Sequence, residues 1–264
     1  MVSKEQITSE TTGKFLLLAP NWFTFVTFIV RIKNYSWTDL QTPMTNLVVS
    51  EGYDKQQIND LLESFENAGE SIWKKRNTLK IFALNGKEVI VKSFKVPHLV
   101  NRFAYRYLRK SKAQRSYEHA RILQQKGIWT PDPIGYKEEF SLIGLGSSQY
   151  ISAKLDYDFD FNALYDADFE NRDRILEKFT EFTFQLHESG IHHLDHSRGN
   201  TLVVKRGEDN WDFYLVDLNR MRFETMDYQK RMDNFSRLGL TPDMIEIVSR
   251  AYARLIDRDV DQVR

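Results

Sequence analysis

The segment Ile191-His192-His193-Leu194-Asp195-His196-Ser197-Arg198-Gly199-Asn200 constrains this chain more than any other. It follows an amphipathic stretch, Arg172 to Ser189, with Ile175, Leu176, Phe179, Phe182 and Leu186 along one side and Gly190 as its stop. Two short apolar runs come after it, Thr201 to Val204 and Phe213 to Val216, separated by the polar turn Arg206 to Asn210. This reads as helix, polar loop, hairpin. It sets Asp195, Asn200 and Asp217 at loop–strand edges around one hairpin. Carboxylate and amide oxygens are hard donors, suited to magnesium bridging nucleotide phosphates.

Phosphoryl transfer uses such a set. One Asp orients or deprotonates the attacking hydroxyl, and an Asn and a second Asp hold the metal. A strand Lys neutralises phosphate charge, and a helix Glu holds that Lys. The first half of the chain offers both. Thr78 to Leu84 and Glu88 to Phe94 read as strands joined by Asn85-Gly86, a strong two-residue hairpin turn. Lys92 lies on the second of them, in VIVKSF, and Glu118 lies 26 residues on, in the helical run RSYEHARIL. A Lys on a partly buried strand needs an acid partner.

Around these, Asp54 to Phe65 reads as a helix with Ile58, Leu61, Leu62 and Phe65 on one face, and Ser71 to Trp73 as a strand. Leu99 to Lys126 reads as one long helix or two broken ones, closed by Gly127. Ser141 to Ser152 reads as a strand pair, Asp156 to Asp160 as an acidic turn and Asp243 to Ile256 as a helix. Residues 1–50 are aromatic-rich with little periodicity. Phe15 to Val30 carries no charge, but a spanning helix needs about 20 apolar residues and this run contains Pro20 and Asn21. An extra element packed on the main domain is the expected reading.

Lys+Arg and Asp+Glu are both 37, which argues against a general nucleic-acid binder. The balance hides segregation. Residues 93–117 carry Lys95, Arg102, Arg106, Arg109, Lys110, Lys112 and Arg115 and no acid, whereas 156–177 is acidic. The chain has no cysteine, so disulfides, thiolate metal sites and a cysteine nucleophile are excluded.

The ordered set of strand Lys, helix Glu, HxDxxxxN and strand-end Asp resembles the protein-kinase-like fold. The stretches AGESIWKKRNTLKIFALNGKEVIVKSFK, RKSKAQRSYEHARILQQKGIWTPDPIGY, GIHHLDHSRGNTLVV and FYLVDLNRMRF resemble the bacterial lipopolysaccharide core kinases, which phosphorylate Kdo or heptose. The similarity covers roughly Val48 to Arg237. It implies an α+β, two-lobed kinase-like fold: an N-lobe antiparallel sheet plus helix over 44–153 and a compact, mostly helical C-lobe over 154–264. Residues 1–43 form an N-terminal extension, read either as a start-site artefact before Met44 or as a membrane-proximal segment.

The resemblance further implies Asp195 as catalytic base, Asn200 and Asp217 as magnesium ligands, Lys92 as the phosphate-pairing lysine and Glu118 as its partner. His193 braces the loop, and the adenine hinge falls near Ile151 to Asp156. The implied cofactors are ATP and Mg2+. The implied acceptor is a lipid-linked sugar of the lipid A–Kdo region, met at the cytoplasmic face of the inner membrane.

The chain also departs from the kinase pattern. There is no G-x-G-x-x-G, and only Gly69 stands near the expected phosphate loop. Asp217 is followed by Leu218-Asn219, Leu194 precedes the base, and the tail after Asp217 is short for a peptide-binding lobe. These features favour a small or lipid-linked sugar over a protein substrate. Two competitors stand beside that reading: an aminoglycoside-type phosphotransferase, which the acidic 156–177 segment keeps open, and a non-catalytic pseudokinase. The basic helix around Val100–Arg115 has two readings of equal weight. One is a core-facing helix with a solvated side. The other is that Arg102, Arg106, Arg109 and Lys110 approach anionic lipid headgroups, as a peripheral membrane contact, or a sugar carboxylate. The histidines His187, His192, His193 and His196 lack a known zinc spacing.

Overall fold

In the computed structural model, residues 42–263 are described; the apolar run at 15–30 and residues 1–41 of the 1–43 extension lie outside them. A six-stranded antiparallel sheet, order β1-β5-β6-β4-β3-β2, organises the first half. Its strands are β1 (Met44–Val49), β2 (Glu70–Lys74), β3 (Asn77–Leu84), β4 (Lys87–Phe94), β5 (Pro133–Ser141) and β6 (Gly144–Ala153). The β3–β4 hairpin pairs Leu84 with Lys87, and both turn residues take left-handed backbone, Asn85 at φ 51 and Gly86 at φ 76. That is the turn whose twist matches paired strands.

Alternation along β4 then fixes two faces. Val89 and Val91 point to one side and pack with Phe82, Leu84 and Ile151 against Ile58, Leu62 and Phe65 of the segment holding α1 (Lys55–Glu63). Asp54 caps that helix by accepting the Gln57 backbone N–H at 2.7 Å. Lys92 and Phe94 lie on the opposite face. There Phe94, Tyr136 and Tyr150 meet Ala113 and Tyr117 of α3 (Lys112–Gln125). A register slip at Pro133/Gly135 in the β5–β6 pairing sends Ile134 and Tyr136 to opposite faces despite their spacing.

The basic run forms two helices, α2 (Leu99–Tyr107) and α3, parted by the Ser111 N-cap. The strand pair expected over 141–152 is instead β5 with β6, a longer hairpin turning at 142–143. β1 falls in the segment where no periodicity was read. It is an edge strand defined by its pairing with β5.

The second half builds on α4 (Arg172–Glu188). Its buried face of Ile175, Leu176, Phe179, Phe182 and Leu186 packs beneath β9 (Thr201–Lys205) and β10 (Trp211–Leu215). β7 (Phe159–Asp160) joins that hairpin, and β8 (Ile191–His193) pairs with β11 (Met221–Phe223). α5 (Tyr228–Ser236), α6 (Pro242–Leu255) and α7 (Val260–Val263) complete the chain. Among the described residues no helix is long and apolar enough to cross a membrane.

α3 joins the two halves. Ala113 and Tyr117 belong to the sheet's core, whereas Ala120 and Leu123 belong to the core built on α4. Leu123 is fully buried at that junction. Leu123→Ala is expected to destabilise the protein by about 2–5 kcal/mol, through lost burial and the cavity left behind, as read by chemical denaturation.

Candidate functional site

The site forms where the α3 face of β4 meets the loops around the β9–β10 hairpin. Lys92 Nζ lies 2.7 Å from Asp217 Oδ1, so a strand of the first half and a turn of the second are joined by an ion pair. The side chains are 15% and 29% exposed, so the pair is poorly screened. Asp217 sits at φ 55, ψ 50, a left-handed conformation uncommon outside glycine, and Asp is among the residues that tolerate it. Asn219 Nδ2 donates to the same Oδ1. The Leu218-Asn219 departure from the kinase pattern thus supplies a hydrogen bond to the carboxylate. Burial pushes the Asp217 carboxyl up. The Lys92 charge, with the Lys92 and Asn219 hydrogen bonds, outweighs burial and holds it below the ordinary value.

The preceding residue, Val216, is held from two sides. Its N–H donates to the Asn200 carbonyl at 3.0 Å. Its carbonyl faces His193 Nε2 at 3.2 Å, and the Asp195 backbone N–H donates to His193 Nδ1 at 3.1 Å. His193 therefore carries its proton on Nε2 and braces Asp195 against the Asp217 strand. Burial keeps its pKa low, so it holds this neutral form. Asn200 Nδ2 donates to the Asp195 carbonyl at 2.8 Å and closes the loop from the other end. Asp195 Oδ2 lies 3.3 Å from Arg220 Nη1, a cation that the sequence reading did not single out.

The donor set fits a magnesium ion held together with phosphates. Asn200 spends its amide N–H on Asp195, which leaves its side-chain oxygen to accept, and among the described residues Asp217 Oδ2 has no protein partner. Two oxygen-bearing side chains with waters and phosphates completing the shell is the usual magnesium arrangement. Among the described residues no group of three or more His, Cys, Asp or Glu side chains could hold a metal. The zinc reading of the histidines gains nothing: His187 bonds Tyr252 and Asn234, and His192 bonds Glu224.

Two expected placements differ. Glu118 does not pair with Lys92. It accepts from Lys110 Nζ at 2.7 Å and Gln114 Nε2 at 3.0 Å, while Lys92 pairs with Asp217 at 2.7 Å. What joins α3 to the site is instead His119, whose Nδ1 lies 2.7 Å from the Leu218 carbonyl. Gly69 does not lie at the turn beside Lys92. It precedes β2, whose Glu70 pairs with Ile81, whereas the β2–β3 turn at Lys75-Arg76 adjoins Phe94 through the Asn77–Phe94 pairing. Gly69 is glycine for a local reason: φ is +79, and a Cβ there would sit 2.5 Å from the Phe82 ring.

The proposed membrane-facing cations are also engaged within the protein. Arg102 Nε donates to the Leu145 carbonyl, Arg106 lies over the Phe140 ring, Arg109 donates to Asn101 and Lys110 pairs with Glu118. α2 has no buried residue, and Leu99 and Val100 are exposed.

Two predictions follow from this geometry. A carboxyl whose folded pKa is lowered stabilises above its unfolded pKa and loses that contribution as pH falls through the folded value. The stability gap between the parent and Asp217→Asn should therefore be largest near neutrality and shrink below about pH 4, in denaturation curves across pH. Gly69→Ala should cost about 1–3 kcal/mol in the same assay, through strain and overpacking, while nucleotide affinity of the folded protein stays at the parent value.

No curated protein matches this chain. A solved structure described as WaaP in complex with acyl carrier protein shares the fold, with a TM-score of 0.57 and 17% identity over 83% of this chain and 91% of that one. The model of the lipopolysaccharide kinase (Kdo/WaaP) family matches residues 84–258, two thirds of the chain, and spans Lys92, Glu118, Asp195, Asn200 and Asp217. On that match the chain belongs to the lipopolysaccharide kinase (Kdo/WaaP) family and is a phosphotransferase acting on a sugar hydroxyl.

Proposed function

We propose that this protein transfers the γ-phosphate of ATP, with magnesium, to a hydroxyl of Kdo or heptose in the lipopolysaccharide inner core. The observation that carries the reading is the 2.7 Å Lys92–Asp217 contact beside the loop that holds Asp195 and Asn200. In this reading Asp195 orients the acceptor hydroxyl and takes its proton as the oxygen attacks phosphorus, and ADP leaves. Arg220 holds the Asp195 carboxylate from one side. Lys92 exchanges part of its contact with Asp217 for phosphate oxygens. Asn200 and Asp217 hold the magnesium, which supplies charge neutralisation at the phosphates when bound. Residues 151–156, the end of β6 and the segment that follows it, are the proposed adenine-side connection between an N-lobe (44–153) and a C-lobe (154–264).

A cationic small-molecule acceptor is less well supported. Four of the acids that kept it open are used locally: Asp160 caps the Asn162 N–H, Asp158 accepts the Lys205 N–H, Asp173 meets Arg172 and Glu177 meets Arg174. A peripheral contact with the inner face of the inner membrane through Arg102, Arg106, Arg109 and Lys110 would compete with the internal partners of those four side chains.

The test is transfer of labelled γ-phosphate to Kdo-lipid A and to a heptose-bearing core acceptor. The parent should label one of them, and Asp195→Asn should lower kcat by about 10²–10⁴-fold while still binding ATP. Labelling of neither acceptor by the parent would reject the core-sugar reading.

A further inference from the structure

The turn between β2 and β3 occupies the place where a phosphate loop would cover the site, and it is cationic: Lys75-Arg76, preceded by Lys74 at the end of β2. No glycine there opens the backbone to phosphate oxygens, so side chains must supply the positive charge. Phe94, paired with Asn77 at the end of this turn, brings the turn beside Lys112, the first residue of α3 after the Ser111 N-cap. Lys112 Nζ lies 6.0 Å from the centre of the Phe94 ring, and Lys92 Nζ lies 5.5 Å from the same ring. One aromatic side chain therefore gathers two ammonium groups beside Asp217. Among the described residues the Lys112 ammonium has no ion-pair or hydrogen-bond partner, unlike Lys92 with Asp217 and Lys110 with Glu118.

This placement is unfavourable without a ligand. The first turn of α3 contains no acid, and Lys112 and Arg115 set two cations at the positive end of the helix dipole. Partial burial lowers the Lys112 pKa, and Arg76, Arg115 and Lys92 lower it further; Asp217 alone opposes them among these neighbours. Two ammonium groups on one ring beside a single carboxylate, with further cations close by, attract a multivalent anion. A purely structural lysine would have an acid opposite it or would extend into solvent.

We propose that Lys112, with Arg76 and Arg115, forms an anion subsite beside the Lys92–Asp217 pair that takes the terminal phosphates of the nucleotide in place of a glycine-rich loop. The assignment to nucleotide rests on the kinase reading above. The polyphosphate chemistry of the subsite does not, and it can be probed separately.

Inorganic tripolyphosphate, titrated calorimetrically at low salt into the full chain, is the probe. The parent should bind it. Lys112→Met keeps the aliphatic stem on Phe94 and should weaken binding about tenfold or more, the usual loss for one charge-assisted hydrogen bond. Lys112→Arg should retain most of the affinity. Lys126→Met removes the same charge from the opposite end of α3, where Lys126 donates to the Ser189 carbonyl, and should bind as the parent does. Without ligand, Lys112→Met should melt at or above the parent temperature, because like-charge repulsion is relieved. Unchanged affinity in Lys112→Met, absence of binding by the parent, or a lower melting temperature for the unliganded variant would each overturn the subsite. Failure of γ-phosphate transfer with these tripolyphosphate results intact would strike the kinase reading alone. Transfer with a raised acceptor KM and unchanged ATP affinity in Lys112→Met would assign the subsite to an anionic group of the acceptor and overturn its assignment to nucleotide.

Discussion

The contact between Lys92 and Asp217 is the interaction on which the site depends. It crosses from the sheet of the first half to the strand end of the second, and each partner alone would be an uncompensated charge in a half-buried cleft. Asp217 adopts left-handed backbone to present its carboxylate there. Such a conformation persists when its surroundings over-determine it. Here they do: Val216 is held by Asn200 and His193, Leu218 by His119 and the carboxylate itself by Asn219. The loop that holds Asp195 and Asn200 and the strand that ends at Asp217 are thus one hydrogen-bonded unit, with His193 as its central brace.

That unit meets the sheet through α3, which is why α3 contributes to two cores. Its first half packs on Phe94, Tyr136 and Tyr150, and its second half packs among the residues around α4. Rotation of α3 would move Lys112, His119 and Glu118 together. The pairing of Glu118 with Lys110 leaves Lys92 to Asp217, so the cleft holds an ion pair that anionic phosphates can exchange into. Excess positive charge at its rim favours that exchange and makes it sensitive to salt.

Much of this was legible in the sequence because its signals are local. The Asn85-Gly86 turn, the Asp54 cap, the apolar face of α4 and the stop at Gly190 each act over a few residues. The types and order of Asp195, Asn200, Asp217 and Lys92 were legible for a similar reason: the hairpin fixes three of them. The remainder depended on long-range register. β1 exists because β5 pairs with it, and no periodicity announces an edge strand. Glu118 matched a spacing, but which cation it meets depends on how Lys110 returns between α2 and α3. Gly69 drew attention as a lone glycine near a phosphate loop. The conformation that requires it is set by Phe82, on a strand paired from the other side. Lys112 was visible only as one cation in a basic run, because its meeting with Arg76 and Phe94 is made by tertiary packing.

The most direct test of the account is a double-mutant cycle on Lys92→Met and Asp217→Asn, read by denaturant unfolding near neutral pH without nucleotide. The expected coupling energy is about 1.5–3 kcal/mol, as for a partly buried, charge-assisted contact. Additive effects, with coupling near zero, would contradict it. They would show that the two halves of the site are held together by something other than this ion pair.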